Sequence, residues 1–580
     1  MAGHPAPSGP EAGTSSDITR APGAAAPTDP DSESSLPEVA RTFLREYGVD
    51  APRPRLILSL LRDGRWWSAN DLVRAGGVAH SVVISLLRAL EEGGEVARDG
   101  DRFRLLSPSH YQGARAPLLA DPVAHLLPEH SRTATELVRA IATGPTSDTN
   151  LDHVSATAET ALRRALFLAT RFDLDQRTLL CVGDHDLTSL ALALVSPGTR
   201  VEVVDLDERV LEHIDTVAER LGLSVRTHSA DLRLGLPATL REKADVVFTD
   251  PPYTPEGVKL FVRRGVEGLA DPKRSRVLVA YGVSETTPKL AAATQARLMR
   301  SGLLIEAMWP DFNRYLGAES IGAASDLYVL RPLSKTLPAP TTESARVYSQ
   351  GVSAKEARGD LDADRATAVL ERAAEGSEEA QPPLPALVGD WPREVSKRVR
   401  VRLSTWMGSP TAVGPCAVVN LTGGWDRSAP RVALATTADQ AFLLVPSTSS
   451  WVRDQAGQKA FRAMVEPGMR VRFLRGFGAP DLTAIRLDRN PEPGGSTGRL
   501  LAHVQGRAHG MLTTTLRTGL VEVAAWRGQA INKRTARQAV ASAPTWLPGH
   551  SLLDLPEHRF SELRVLASEL LTHVKELRSG

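Results

Sequence analysis

VVFTDPPYTPEG, residues 246–257, begins as a strand and cannot continue as one. Val246, Val247 and Phe248 form a short apolar run, the pattern of a strand buried on both faces of a parallel sheet. Thr249 and Asp250 follow, and then two prolines. Pro251 and Pro252 lack the N–H that a ladder requires and fix the backbone, so the chain must leave the sheet at Asp250. A carboxylate is thereby placed at a strand end, followed by an aromatic residue, Tyr253.

The neighbouring sequence repeats this strand-then-helix grammar. TLLCVG, RVEVVDLD, LSVRTHSAD, ADVVFTD, SRVLVAYG, GLLIEAMWP and SDLYVLRP read as strands, with helices at about 187–195, 207–221, 255–269 and 287–301. Alternation of this kind predicts an α/β fold with a doubly wound, Rossmann-like sheet of the methyltransferase type over 178–335. Ligands of such sheets bind at the carboxyl ends of the strands.

The acidic residues fall at those ends. CVGDHDLTS places Gly183, Asp184, His185 and Asp186 in the first strand-to-helix turn. One glycine does not make the G-x-G-x-x-G cradle of a dinucleotide site, and the chain has no G-x-x-x-x-G-K-[ST] loop for a triphosphate. Asp205 closes the second strand, where an acid takes ribose hydroxyls, with Asp207 a less well placed neighbour that also suits a helix cap. Asp231 follows the third strand, within reach of an adenine edge, and Asp250 ends the fourth. This order suits an adenosine-type sulfonium donor. The α-carboxylate of S-adenosylmethionine would be repelled by Asp184 and Asp186, whereas the bare ammonium of decarboxylated S-adenosylmethionine would be attracted. Residues 181–260 carry 14 acidic and 8 basic side chains, a balance that favours a cationic donor and an amine acceptor. Asp250 is placed to accept a hydrogen bond from the attacking amine and help deprotonate it, while Pro251 and Pro252 leave carbonyls free to face that amine. No permanently bound cofactor and no metal site is expected.

Around this domain the sequence predicts a disordered, Ala/Pro/Ser/Gly-rich tail over 1–36 and a winged-helix-like domain over 37–110. A helical connector follows over 111–177, then a linker over 336–385 with one helix near 363–375. Residues 386–580 read as a basic, β-rich α+β domain, with strands at CAVVNL, RVALATT, AFLLVP, RVRFLRGFG and GLVEVAAW and a closing amphipathic helix. The winged-helix module reads first as a packing or dimerisation element, since its third helix offers only Arg88 as a strong phosphate or base contact. Two cysteines in 580 residues, no signal-like N-terminus and no long apolar run predict a soluble, cytoplasmic protein without membrane contact.

The segments LDHVSATAETALRRA, VGDHDLTSLALAL, VEVVDLDERVLEHI, ADLRLGLP, FTDPPYTPEGVKLFVRRGV and DFNRYLG resemble, in order and spacing over roughly 150–332, the bis(aminopropyl)spermidine synthases, or branched-chain polyamine synthases. These are aminopropyltransferases with a methyltransferase-like domain and a winged-helix-like N-terminal domain. The resemblance implies donor binding by Gly183, Asp184, Asp186, Asp205 and Asp231, and Asp250 as the catalytic acid. It also implies an acceptor loop containing Asn313 and Tyr315, and a pocket-closing role for Asp152.

The chain departs from that pattern at four places. His185 replaces the middle acid of the turn, and Tyr253 replaces a glutamate. Cysteine pairs found in some relatives are absent. In place of an acidic tail stand residues 386–580, with 26 Lys plus Arg and 15 Asp plus Glu. Pro251 and Tyr253 complete the expected acceptor side. Tyr253 could stack on a planar group, as in DPPY amino-methyltransferases. Three readings therefore stand. The first is aminopropyl transfer to a small amine or polyamine. The second is S-adenosylmethionine-dependent methylation of an amino group on nucleic acid or protein. The third is a DNA-binding regulator without catalysis. Nucleic-acid contact through the winged helix or the basic C-terminal region, and a homodimer, are the partner arrangements these readings leave open.

Overall fold

The computed structural model describes residues 36–114, 121–148, 151–283, 287–333, 361–375, 385–395 and 398–579. All but residue 36 of the expected tail, and most of the expected linker, lie outside these. The chain divides into two compact units, residues 1–76 with 81–120, and 77–80 with 121–580.

In the first unit, helices α1 (Glu38–Glu46), α2 (Pro52–Leu61), α3 (Ala69–Gly76) and α4 (His80–Glu92) accompany strands β1 (Trp67–Ser68), β2 (Val96–Asp99) and β3 (Arg102–Leu105). The strands form an antiparallel sheet in the order β1-β3-β2. Ile57, Leu61, Leu72, Leu86, Leu87 and Leu90 recur at helical spacing and are buried. Ser68 caps the start of α3, its hydroxyl accepting the Asp71 N–H at 3.1 Å. Arg88 is exposed.

The second unit holds two sheets. Helices α5 (Ser131–Thr143) and α6 (Ala158–Arg171) lead into the first. Its strands are β4 (Thr178–Val182), β5 (Arg200–Asp205), β6 (Val225–Ser229), β7 (Val246–Thr249), β8 (Arg276–Tyr281), β9 (Leu303–Arg314) and β10 (Ala324–Pro332). Helices α7 (Thr188–Val195), α8 (Glu208–Leu221), α9 (Pro255–Gly268) and α10 (Pro288–Arg300) connect them. The strand order is β6-β5-β4-β7-β8-β10-β9, with the first five strands parallel and β10 antiparallel to both neighbours. The order reverses between β4 and β7, so a crevice opens there at the carboxyl ends. β4 and β7 are buried at every position, which accounts for their unbroken apolar runs.

The C-terminal region departs from its sequence reading. After α11 (Ala363–Glu375), six strands form one mixed sheet: β11 (Ala386–Val388), β12 (Arg400–Val401), β13 (Cys416–Asn420), β14 (Gln440–Pro446), β15 (Met469–Arg475) and β16 (Leu482–Arg489). Helices α12 (Leu403–Gly408), α13 (Ala429–Leu434), α14 (Gln455–Val465), α15 (Gly495–Gln505), α16 (Leu512–Trp526), α17 (Lys533–Ala541) and α18 (Arg559–Ser579) accompany it. Strands β11 to β14 are parallel, so this is a second α/β layer rather than a β-rich α+β domain. Two of the expected strands are helices: RVALATT forms most of α13, and GLVEVAAW ends α16. Their valines and alanines mark burial, since α13 is buried along its length and Leu516, Leu520 and Val523 of α16 enter the same core. Packing here overrides β-branched propensity. Trp406 and Trp425 are buried in this core, whereas Trp526 is 53% exposed.

Candidate active site

Each sheet-end residue is aimed by a local device. Gly183 follows β4 at φ +72°, a conformation that favours glycine, and a Cβ there would stand 3.2 Å from the Phe261 ring. Its N–H donates to the Val204 carbonyl at 2.8 Å, tying the turn to β5. After β7, Pro251 and Pro252 carry the chain to Thr254, which caps α9 by accepting the Gly257 N–H at 2.9 Å, with Pro255 in the first turn. Gly257 is demanded by close approach, because a Cβ would lie 2.7 Å from the Pro252 carbonyl oxygen.

These turns surround a cavity of about 350 Å³ at the carboxyl ends of β4, β5 and β7. Asp152, Gly183, Asp184, Asp186, Asp205, Asp250, Pro251, Tyr253 and Tyr315 all line it, together with His153 and His185. Among its lining residues there are five aspartates and neither lysine nor arginine.

The acids are held individually. Asp205 accepts the Asp184 N–H at 3.0 Å on one oxygen and the Asp207 N–H at 2.8 Å on the other. Asp184 accepts the Ser189 N–H at 3.1 Å. Burial pushes the Asp184 carboxyl up to about 8 against that hydrogen bond, with Asp186 and Asp205 adding repulsion. Asp207 acts as the cap of α8, accepting the Arg209 N–H at 3.1 Å.

At the centre sits a residue absent from the sequence-based set. Arg164, on α6, has a fully buried side chain. Its Nη1 donates to Asp186 at 2.9 Å, its Nη2 to Asp250 at 2.6 Å, and its Nε to Asn313 at 2.8 Å. Asp250 Oδ2 also accepts from the Tyr315 hydroxyl at 2.7 Å, and that hydroxyl lies 2.7 Å from the Tyr253 hydroxyl. Burial raises the Asp250 carboxyl to about 7; Arg164 opposes this and the nearby Asp186 carboxylate reinforces it. Burial also acts to raise Asp186, yet Arg164 holds it below its ordinary value. The two carboxyls are close enough to hydrogen-bond, so the pair holds one proton below about pH 7 and gives it up above. Tyr253 and Tyr315 are pushed well above the ordinary phenol value, first by burial and then by Asp250, and remain donors.

Three expected residues sit differently from their sequence reading. Asn313 is fully buried behind the cavity, where it orients Arg164 and donates to the Ser325 hydroxyl at 3.0 Å. Asp231 lines an adjoining cavity of about 400 Å³ and is bound in a bidentate pair by Arg233, at 2.6 Å to the nearer oxygen. Tyr253 is joined to Asp250 through Tyr315 and packs edge-on against Tyr281, ring centres 5.6 Å apart. A signal for Arg164 was present: it lies three residues after Ala161 and four before Leu168, on the buried face of α6. His153 was also missed. Its ring stacks on that of His185 at 4.4 Å, while His185 Nε2 lies 3.0 Å from Ser155 Oγ and 3.1 Å from Ser147 Oγ.

Residues 134–351 match the family model described as the branched-chain polyamine synthase A C-terminal domain. An uncharacterized protein of Methanocaldococcus jannaschii is 37% identical over 205 residues, 35% of this chain and 51% of that one. The N(4)-bis(aminopropyl)spermidine synthase of Thermococcus kodakarensis is 31% identical over 166 residues, 28% of this chain and 47% of that one. The chain thus spans about half the length of these curated relatives. Among solved structures, the branched-chain polyamine synthase of Thermus thermophilus in complex with N4-aminopropylspermidine and 5'-methylthioadenosine is 23% identical. That match covers 54% of this chain and 96% of the solved one, with a TM-score of 0.40. The segment that carries the acidic crevice, residues 134–351, is therefore similar to the branched-chain polyamine synthase A C-terminal domain.

Proposed function

We propose that the chain transfers an aminopropyl group from decarboxylated S-adenosylmethionine to an amine or polyamine acceptor. The observation that carries this reading is the cavity lining of five aspartates, against which the buried Arg164 sets one positive charge behind Asp186 and Asp250. A sulfonium with a free ammonium is drawn into such a cavity, and so is a protonated polyamine, whereas a donor bearing a carboxylate is repelled.

The donor's adenosine lies along Gly183 and Asp205, with Asp205 on the ribose hydroxyls. Asp184 and Asp186 face the propylammonium. The acceptor amine enters between Asp152, Asp250 and Tyr315. Its lone pair attacks the carbon next to the sulfonium, the new C–N bond forms as the C–S bond breaks, and 5'-methylthioadenosine departs as a neutral thioether. The nitrogen's extra proton goes to the Asp250 carboxylate, which Arg164 and Tyr315 hold in place through Oδ2. The helix order and three-stranded sheet of residues 52–105 support the winged-helix reading of the N-terminal unit.

Asp250→Asn keeps the shape and removes the proton acceptor. We expect it to bind 5'-methylthioadenosine as the unsubstituted chain does and to lose about 10²- to 10⁴-fold in turnover, read by product formation. Unchanged turnover would remove Asp250 from the proposed chemistry.

A further inference from the structure

The six-stranded C-terminal sheet repeats the first sheet. Removing the edge strand β6 from the order β6-β5-β4-β7-β8-β10-β9 leaves β5-β4-β7-β8-β10-β9. The second sheet runs β12-β11-β13-β14-β16-β15, the same succession in chain order, with parallel and antiparallel pairings at the same places. The local detail agrees. Val182-Gly183-Asp184 at the end of β4 is matched by Val388-Gly389-Asp390 at the end of β11, and Gly389 also has a positive φ, +90°. The Gly183 N–H donates to Val204 of β5 at 2.8 Å, and the Gly389 N–H donates to Val401 of β12 at 2.9 Å.

The ladders then fix which residues correspond. Cys181 pairs with Phe248 as Leu387 pairs with Val418, so Asn420 occupies the position of Asp250. Val182 pairs with Val204 as Val388 pairs with Val401, so Arg402 occupies the position of Asp205. The ribose acid has become an arginine and the strand-end acid an amide. Asn420 is used internally, donating to the Asp390 carbonyl at 2.6 Å and accepting from Thr422 Oγ1 at 2.7 Å.

The loop after β13 in this second sheet, equivalent to the Asp-Pro-Pro-Tyr loop, holds the loop that follows β6 of the first sheet. Arg233 Nη2 donates to the Gly424 carbonyl at 2.9 Å, and its guanidinium lies 4.4 Å from the centre of the Trp425 ring. Leu234 is buried within the hydrophobic core of the C-terminal region. The same Arg233 clamps Asp231, and residue 232, next in the chain, lines the candidate active site.

We infer that residues 386–580 are a second, donor-silent copy of the doubly wound sheet, and that its β13 loop has been turned into a clamp. Trp425 and Gly424 grip Arg233, which fixes the 231–236 loop at the nucleoside side of the first sheet's site. Arg233 and Trp425 are positioning residues, acting on the donor through the loop. The positioning part rests on the donor reading above, whereas the duplication stands on topology.

The test uses the full chain and 5'-methylthioadenosine as the probe. Calorimetry with Trp425→Ala and Arg233→Ala should show binding weakened about 3- to 30-fold, the range expected for coupling through a packed network. Turnover at saturating donor should stay within about twofold, so that the loss falls on KM. Trp425→Phe retains a face for the guanidinium and should restore binding, whereas Arg233→Lys loses the fork that holds Asp231 and should not. Hydrogen exchange across residues 231–236 should speed up in Trp425→Ala. Unaltered probe affinity and exchange in Trp425→Ala would overturn the clamp. Failure of the unsubstituted chain to bind the probe would overturn the donor reading instead.

Discussion

At Asp250, three neighbours, Arg164, Asp186 and Tyr315, decide the chemistry of one carboxyl. Burial raises it to about 7 while Arg164 and Tyr315 hold its Oδ2, so it changes charge in the range where the proposed transfer needs a proton acceptor. The pH profile of kcat/KM should therefore rise with an apparent pKa of about 7 and level off above it. The limb in kcat should lie lower, because a bound cationic donor favours the ionised acid. A kcat/KM profile flat from about pH 6 to 8 would show that Asp250 does not accept the proton. Stability carries the opposite sign. Unfolded aspartates lose their protons near 3.8, whereas native Asp184 and Asp250 keep theirs to about 8 and about 7. The native state thus binds more protons across that window, and these two groups make the ligand-free chain less stable as pH rises from about 4 to 8.

Asp184, Asp186, Asp205 and Asp250 were legible because each ends a strand or lies in the turn just after one, and strand ends in a doubly wound sheet converge on one crevice. Arg164 was not singled out, because an arginine within an amphipathic helix is usually read as solvated. Only the fold shows that its face of α6 is turned toward Asp186 and Asp250.

Among elements, the β7-to-α9 connection forms the acceptor side of the proposed site. The two prolines and the Thr254 cap leave no slack, and Gly257 is present because the loop folds back onto α9. In Gly257→Ala the new Cβ would meet the Pro252 carbonyl oxygen at 2.7 Å, so the loop must move. A displacement of about 1 Å beside the reacting atoms costs about 10²-fold in turnover, with 5'-methylthioadenosine affinity little changed. Steady-state kinetics and calorimetry on that variant check this expectation, and turnover equal to that of the unsubstituted chain would show that the loop's position is not critical. The parallel strands and helices of 178–332 were readable because burial on both faces writes unbroken apolar runs between polar turns. In the C-terminal region the same composition misleads, since α13 and α16 are helices rich in valine, leucine and alanine. β11 and β12 are three and two residues long, too short to leave a pattern.

For the molecule as a whole, 121–580 form one compact unit in which one sheet retains its strand-end acids and the other has lost two of them. The resemblance seen in the sequence reached only the first sheet. The second is recognisable by strand order and ladder register, properties of pairing that no local stretch encodes. A cavity lined by five aspartates is the feature that gives the molecule its proposed chemistry, because it selects the charge of what enters. Calorimetry of the full chain with the two sulfonium donors reads that selection directly. Decarboxylated S-adenosylmethionine should bind at least about tenfold more tightly than S-adenosylmethionine, the effect of ~1.4 kcal/mol of carboxylate repulsion. Equal or tighter binding of S-adenosylmethionine would contradict it.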